Sequence, residues 1–376
     1  MTTGKPSLDI DFNLYPFIVF WEITRACSLA CLHCRATAQP KRHPQELTTQ
    51  EGLGLIDQIA ALNNPLLVIT GGDPMMRSDL FQFISYGVEK GMRVSLAPSA
   101  TKLVTPESLG RAKEAGLARV SFSLDGSCAE VHDAFRQTPG SFDRTIEVIG
   151  YAREVGLSLQ INSTVSRYNL NDLGRLADKV GESGVVLWSV FFLVPTGRGK
   201  VEDMVSPQQH EAAFHWLYDL AQKVPFDVKT TAAEHFRRVI VQRRLAEGMA
   251  SGIQMAVAAP GFQYQDGVGR APKGVNDGNG CCFISHIGEV CPSGFLPLVA
   301  DNVREKPLAE IYRHSPLFRD LRDTAKLKGK CGRCEYNRIC GGSRARAYAV
   351  TGDYLAAEPY CVYEPPLREP LLSGVR

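Results

Sequence analysis

The sequence predicts an α/β fold, a parallel sheet of βα repeats followed by a small C-terminal domain held together by metal. Three observations carry this. From Phe17 to about Val194, short apolar runs of β type alternate with stretches of helical character. Of the 11 cysteines, three lie at 27–34 and seven at 281–361, with only Cys128 between. Beyond Cys281 the elements become short and glycines frequent, as in a small domain whose folding is tied to metal.

The strands expected are Ile18–Thr24, Leu66–Thr70, Arg93–Ala97, Ala118–Leu124, Ser158–Thr164 and Val185–Phe192. Helix signals fall between them. Thr48 and Glu51 form a capping box before Leu53–Leu62, and Ser78 precedes Asp79 and Leu80. Thr105 caps with Pro106 at the first helical position, and Ser141 opens Phe142–Glu154. Gly91, Gly116, Gly156 and Gly184 stand where helices should end. Such repeats imply right-handed crossovers and place the chemistry at the carboxyl ends of the strands. Pro195-Thr-Gly-Arg-Gly closes the repeat region, 206–248 reads as helical, and 250–280 as a linker or substrate-facing loop.

The bulk numbers exclude several classes. A chain of 376 residues suits two domains, or one large domain with an appendage. A net charge of +2 implies no nucleic acid or other polyanion. The longest apolar run, around Phe17–Trp21, is too short for a membrane span. The N-terminus has acidic residues where a signal peptide needs an apolar core, so a cytoplasmic location is expected. In a reducing compartment, clustered cysteines point to metal rather than to disulfides.

The first set reads Cys27-x3-Cys31-x2-Cys34, just after the first strand. Three thiolates are one short of a closed cubane site, and an open metal position marks a reactive centre. A zinc site would need a fourth ligand, which His33 cannot easily supply between Cys31 and Cys34. With its supporting motifs the chain resembles the radical S-adenosylmethionine (SAM) enzymes. That resemblance implies a partial (β/α)6 TIM-like barrel over 15–205 and a 4Fe–4S cluster on Cys27, Cys31 and Cys34, with SAM on the open iron. Reductive cleavage of SAM to a 5′-deoxyadenosyl radical would then lead to hydrogen abstraction from a substrate C–H bond. Gly71-Gly72-Asp73-Pro74 resembles the family's GGEP motif that receives the SAM ammonium, with Asp73 one methylene shorter. Ser123 and Asp125 resemble its S-x-D pair, and His132-Asp133 with Arg136 its H-D-x-x-R stretch. Arg136 would pair with the SAM carboxylate or, alternatively, with Asp133. Asn162, Val194 and the ring of His33 complete the implied SAM contacts.

Cys331-x2-Cys334-x5-Cys340 followed by Cys361 resembles the SPASM extension, which implies an auxiliary 4Fe–4S cluster in a domain over 275–365, after a helical or substrate-facing region at 206–274. Structural zinc is the alternative for four thiolates. The family pattern with two auxiliary clusters expects a cysteine where this chain has Arg344. Cys281, Cys282 and Cys291 are therefore either buried thiols or ligands of a second auxiliary cluster. The run Cys340-Gly-Gly-Ser-Arg-Ala-Arg-Ala-Tyr resembles the haem and haem d1 maturase branch, whose members modify tetrapyrrole propionates; related branches modify peptides. Arg237, Arg238, Arg243 and Arg244 form a basic stretch that would meet a carboxylate-rich substrate or else lie solvated on a helix face. An electron donor of flavodoxin or ferredoxin type is also implied. No general base is assigned; Tyr264, Glu234 and His235 are candidates. Three functions compete: oxidative modification or decarboxylation of a tetrapyrrole or peptide side chain, carbon–sulfur bond formation on a small molecule, and non-enzymatic metal binding or electron transfer.

Overall fold

In the computed structural model, which describes residues 10–252, 268, 271 and 274–366, the six expected strands lie side by side in chain order. They are β1 (Ile18–Glu22), β2 (Leu66–Thr70), β3 (Val94–Leu96), β4 (Arg119–Ser123), β5 (Leu159–Val165) and β6 (Leu187–Phe192), all parallel. The crossovers carry α1 (Thr49–Ala60), α2 (Leu80–Glu89), α3 (Pro106–Glu114), α4 (Ala129–Arg136), α5 (Ser141–Val155) and α6 (Leu173–Glu182). The Thr48–Glu51 capping box forms, and Thr105 caps α3 with Pro106 in its first turn. Val19, Trp21 and Ile23 face the helices, where Trp21 packs on Phe83 at 4.9 Å between ring centroids. A Cβ on Gly52 would stand 2.6 Å from Phe83, so the missing side chain lets α1 close on this pair.

The sheet continues on both sides of these six strands. After α7 (Pro207–Ala221), β7 (Asp227–Thr231) adds in parallel to β6 and leads to α8 (Phe236–Ala246). The expected helical stretch 206–248 is thus helix, strand, helix. Asp-Val-Lys-Thr-Thr has one buried residue in five and left no apolar alternation to read. On the other edge β8 (Cys281–Ile284) pairs in parallel with β1, followed by the antiparallel β9 (Glu289–Cys291) and β10 (Asp301–Asn302). The full order is β10-β9-β8-β1-β2-β3-β4-β5-β6-β7, an α/β partial barrel that the C-terminal segment extends directly. No helix among the described residues is long and apolar enough to cross a membrane.

The rest of the C-terminal region carries α9 (Leu308–His314), α10 (Pro316–Arg322), α11 (Gly329–Arg333) and α12 (Arg344–Thr351). Arg346, fully buried on α12, docks this region on the barrel. Its Nη2 donates to the carbonyls of Phe192 (3.2 Å) and Ala232 (2.6 Å), and its Nη1 pairs with the buried Glu358 at 3.4 Å. Removing one partner of such a pair leaves the other charge uncompensated. Arg346→Met is therefore expected to cost roughly 3–5 kcal/mol, read as a lowered urea midpoint.

Candidate active site and metal centres

Cys27, Cys31 and Cys34 sit on the loop that leaves β1 at the carboxyl edge of the sheet. The loop closes on itself through Cys27 N–H to the Gln39 carbonyl (2.8 Å) and Gln39 N–H to that of Arg25 (2.9 Å). Glu22, the last residue of β1, holds both of its ends. Its carboxylate accepts from Arg25 Nε at 3.0 Å and Arg35 Nη1 at 2.9 Å, and His286 Nδ1 lies 3.2 Å away. Burial alone would raise the Glu22 pKa, but Arg35, His286 and Arg25 outweigh it and bring it to about 2.

Two further loops lock onto the cysteine loop. Gly72 N–H donates to the Thr24 carbonyl and Asp73 N–H to that of Ala26, both at 2.7 Å. A Cβ on Gly72 would stand 2.5 Å from the Ala26 oxygen, so this approach needs glycine. After β6, Arg198 N–H donates to the Cys34 carbonyl at 3.0 Å. Gly197 permits this turn with φ +62°; a Cβ there would meet the same oxygen at 2.4 Å.

One cavity results, lined by all three cysteines with His33, Gly71, Gly72, Ser123, Arg136, Asn162 and Val194. These sequence-predicted residues therefore surround a single space. His33 stacks on Phe135 at 4.2 Å, and burial, with the nearby Arg136 and Arg198, lowers its pKa to about 4, so it is neutral at pH 7.

Three expected residues turn elsewhere. The buried Asp73 carboxylate accepts from Thr101 Oγ1 (2.7 Å) and Met75 N–H (3.2 Å), so it holds the loop rather than lining the cavity. Pro74 is buried in the first turn of the short helix that follows. Asp125 lies behind the cavity wall, where it accepts from Thr164 N–H and pairs with Arg136 through Nε (2.7 Å) and Nη2 (2.6 Å). The alternative Arg136–Asp133 pair is not made, because Asp133 caps α5 through Gly140 N–H, Phe142 N–H and Ser141 Oγ. Arg136 Nη1 instead reaches Cys31 Sγ at 3.5 Å.

Other lining residues carried no motif. Ser99, which follows β3, contacts Cys27 Sγ at 3.6 Å and donates to the Gly72 carbonyl. Its one sequence signal was its place past the carboxyl end of a barrel strand. Arg198 lines the wall, with Nε and Nη2 buried and without hydrogen bonds among the described residues. Phe295 arrives from the C-terminal region, invisible to any local pattern.

Cys331, Cys334, Cys340 and Cys361 ring a second cavity, closed by Arg238, Lys330, Tyr336, Glu358 and Tyr363. Gly342 N–H points at Cys340 Sγ and Glu358 N–H at Cys331 Sγ, each at 3.3 Å. Among the described residues no three metal-ligating side chains converge as one ion requires. Four thiols lining one cavity, with backbone donors aimed at two of their sulfurs, fit an iron–sulfur cluster.

Cys281, Cys282 and Cys291 are all buried, on β8 and β9. Cys281 and Cys282 are neighbours on β8 and so face opposite sides of the sheet. Cys282 belongs to the main apolar core, where burial raises its pKa to about 12. Cys281 lies in the field of Cys282, Asp277 and Glu234, Cys282 in that of Cys291, and Cys291 in that of Glu289, Glu22 and Arg35. Three arginines of the basic stretch on α8 are partnered by groups of the protein, Arg243 at the partly exposed surface. Arg237 donates to the Val275 and Ile339 carbonyls, Arg238 pairs with Glu211, and Arg243 with Asp219 and Glu247. Of the acid–base candidates, Glu234 and His235 are buried beside α8, and Tyr264 lies outside the described residues.

Residues 21–180 match the family model of the radical SAM superfamily, and residues 276–335 that of SPASM, an iron–sulfur cluster-binding domain. The chain is 43% identical to the AdoMet-dependent heme synthase of Methanosarcina barkeri, over 93% of this chain and 97% of that protein. It is 42% identical to the protein of the same name from Nitratidesulfovibrio vulgaris, over 93% and 92%. Among solved structures, Streptococcus suis SuiB bound to S-adenosylmethionine superposes with a TM-score of 0.68 at 16% identity, over 93% of this chain and 78% of that one, a likeness of fold.

The Glu22 network gives a stability signature. With its pKa depressed to about 2 from an ordinary 4.5, Glu22 contributes stability that is complete above pH 4.5 and lost as pH falls towards 2. The contribution is about 3 kcal/mol. Glu22→Gln is expected to flatten that part of the stability–pH curve in denaturant titrations. Gly197→Ala, strained at its φ and against Cys34, is expected to lower the iron bound at the first site on anaerobic reconstitution while leaving the second site loaded.

Proposed function

The chain belongs to the radical SAM superfamily and carries a SPASM iron–sulfur domain, and from that premise we propose that it oxidatively decarboxylates propionate side chains of an iron tetrapyrrole, as a heme synthase. The observation that carries this reading is the 43% identity to a heme synthase over nearly the full length of both chains. Cys27, Cys31 and Cys34 would hold a 4Fe–4S cluster which, with SAM, would supply the hydrogen abstraction; the side chain would then lose carbon dioxide and one electron to become a vinyl group.

The chain's own residues supply position and charge. Arg136 stands between Asp125 and Cys31 and keeps that cysteine in place. The neutral His33 and Val194 offer an apolar edge for a purine, and Asn162 and Ser123 offer polar atoms for a ribose. Arg198, with two unpartnered nitrogens at the wall, suits a carboxylate of SAM or of substrate. The cavity ringed by Cys331, Cys334, Cys340 and Cys361 suits an auxiliary cluster that accepts the released electron. An external donor of flavodoxin or ferredoxin type would supply the electron to a cluster held by Cys27, Cys31 and Cys34. The core position of Cys282 speaks against sulfur transfer from the 281–291 thiols. The enzyme relatives speak against a purely electron-carrying role.

Anaerobic reconstitution is expected to give about eight irons per chain, two cubane clusters. With dithionite, SAM and an iron porphyrin bearing propionates, one 5′-deoxyadenosine should form for each propionate converted to vinyl, detected by mass spectrometry. SAM cleavage with the porphyrin unchanged would sink the reading. Cys31→Ala is expected to bring both products to background.

A further inference from the structure

The charged side chains that line the four-cysteine cavity are each paired with an opposite charge, and Arg344 behind it is not. Arg238 at its wall is matched by Glu211 at 2.5 Å, and Lys330 by Glu364 at 2.9 Å. Glu358 is matched by Arg346. Arg344 is 1% exposed and makes no ion pair among the described residues. Its Nε donates to the Gly342 carbonyl at 3.2 Å, and its Nη1 to those of Tyr354 (3.1 Å) and Ala356 (2.7 Å). Nη2 is left facing Cys331 Sγ at 3.9 Å. Asp277 and Asp353 feel its field from beyond ion-pair distance; Asp277 accepts from Ala345 N–H, and Asp353 is taken by Lys328.

A buried guanidinium with no carboxylate is costly unless another negative charge answers it. A cubane on four thiolates supplies that charge, and it becomes more negative on taking up an electron. We propose that Arg344 sets the reduction potential of the auxiliary cluster: its uncompensated positive charge beside Cys331 favours the reduced state and makes the cluster an acceptor for one electron. Net charge and hydrogen bonds at the sulfurs are the levers by which proteins move such potentials. Arg344 thus does more than fill a position where a further cysteine would stand. It is a positioning residue, which touches a ligand of the cluster rather than the substrate. The inference rests on the reading of Cys331, Cys334, Cys340 and Cys361 as cluster ligands.

The test is an EPR-monitored redox titration of the full chain with Cys27, Cys31 and Cys34 changed to alanine, so that only the auxiliary cluster titrates. Arg344→Gln is expected to lower the potential by a tenfold or greater shift in the reduction equilibrium, about 59 mV for one electron. Arg344→Lys should stay close to the parent. If Arg344→Gln does not keep its cluster, Arg344→Met, uncharged and close in length, takes its place and should lower the potential likewise. A loaded Arg344→Gln cluster at the parent potential, or a loaded Arg344→Met cluster at that potential where that variant stands in, overturns the inference and leaves the cluster reading intact. A parent that binds no iron at these cysteines overturns both.

Discussion

Glu22 is a carboxylate with no exposed surface, and it is charged because Arg25, Arg35 and the ring of His286, from three segments, close on it. An isolated charge at that depth would cost several kcal/mol, so strand, loop and neighbour must assemble together or not at all. Arg25 and Arg35 bind the two limbs of the cysteine loop to the end of β1. His286 brings in the turn that follows β8, which the C-terminal segment lays along the same strand. Neighbouring contacts repeat the theme: Arg35 also covers the ring of Phe283 at 4.5 Å, and the Gly72 and Gly197 turns hydrogen-bond to the loop's carbonyls. The cysteine loop at 27–34 is therefore held mainly by charge and backbone hydrogen bonds, over a core whose apolar packing lies on the other side of the sheet.

The two cysteine centres are joined by polar groups rather than by apolar contact alone. Glu358 N–H meets Cys331 Sγ, and its carboxylate meets Arg346. Arg346 then binds the carbonyl of Phe192, which lines the first cavity together with Leu193 and Val194. This geometry suits a reaction in which an electron leaves the substrate site for a second, fully ligated centre.

Much of the site was legible because its signals are local. The C-x3-C-x2-C spacing, the paired glycines at 71–72 and the C-x2-C-x5-C run each lie within a few residues, and each cysteine set lines one cavity. Asp73 and Asp125 show where local reading fell short. Both stand in the right segments, yet Thr101, 28 residues on, and Arg136, 11 residues on, draw their carboxylates out of the cavity. The arginines of α8 read as a basic surface because their partners Glu211, Asp219 and the carbonyl of Ile339 lie on other elements.

By itself the sequence determined the parallel α/β repeat, the order of its first six strands and the two sets of thiols, since apolar periodicity and cysteine spacing are written along the chain. Tertiary structure alone decided that β7 and β8 extend the sheet, that Cys282 belongs to the core while Cys281 faces the opposite side, and that Arg344 keeps an unmatched charge beside Cys331. Each of these depends on which residue from a distant segment arrives opposite, and a pairing between segments leaves no period in either of them.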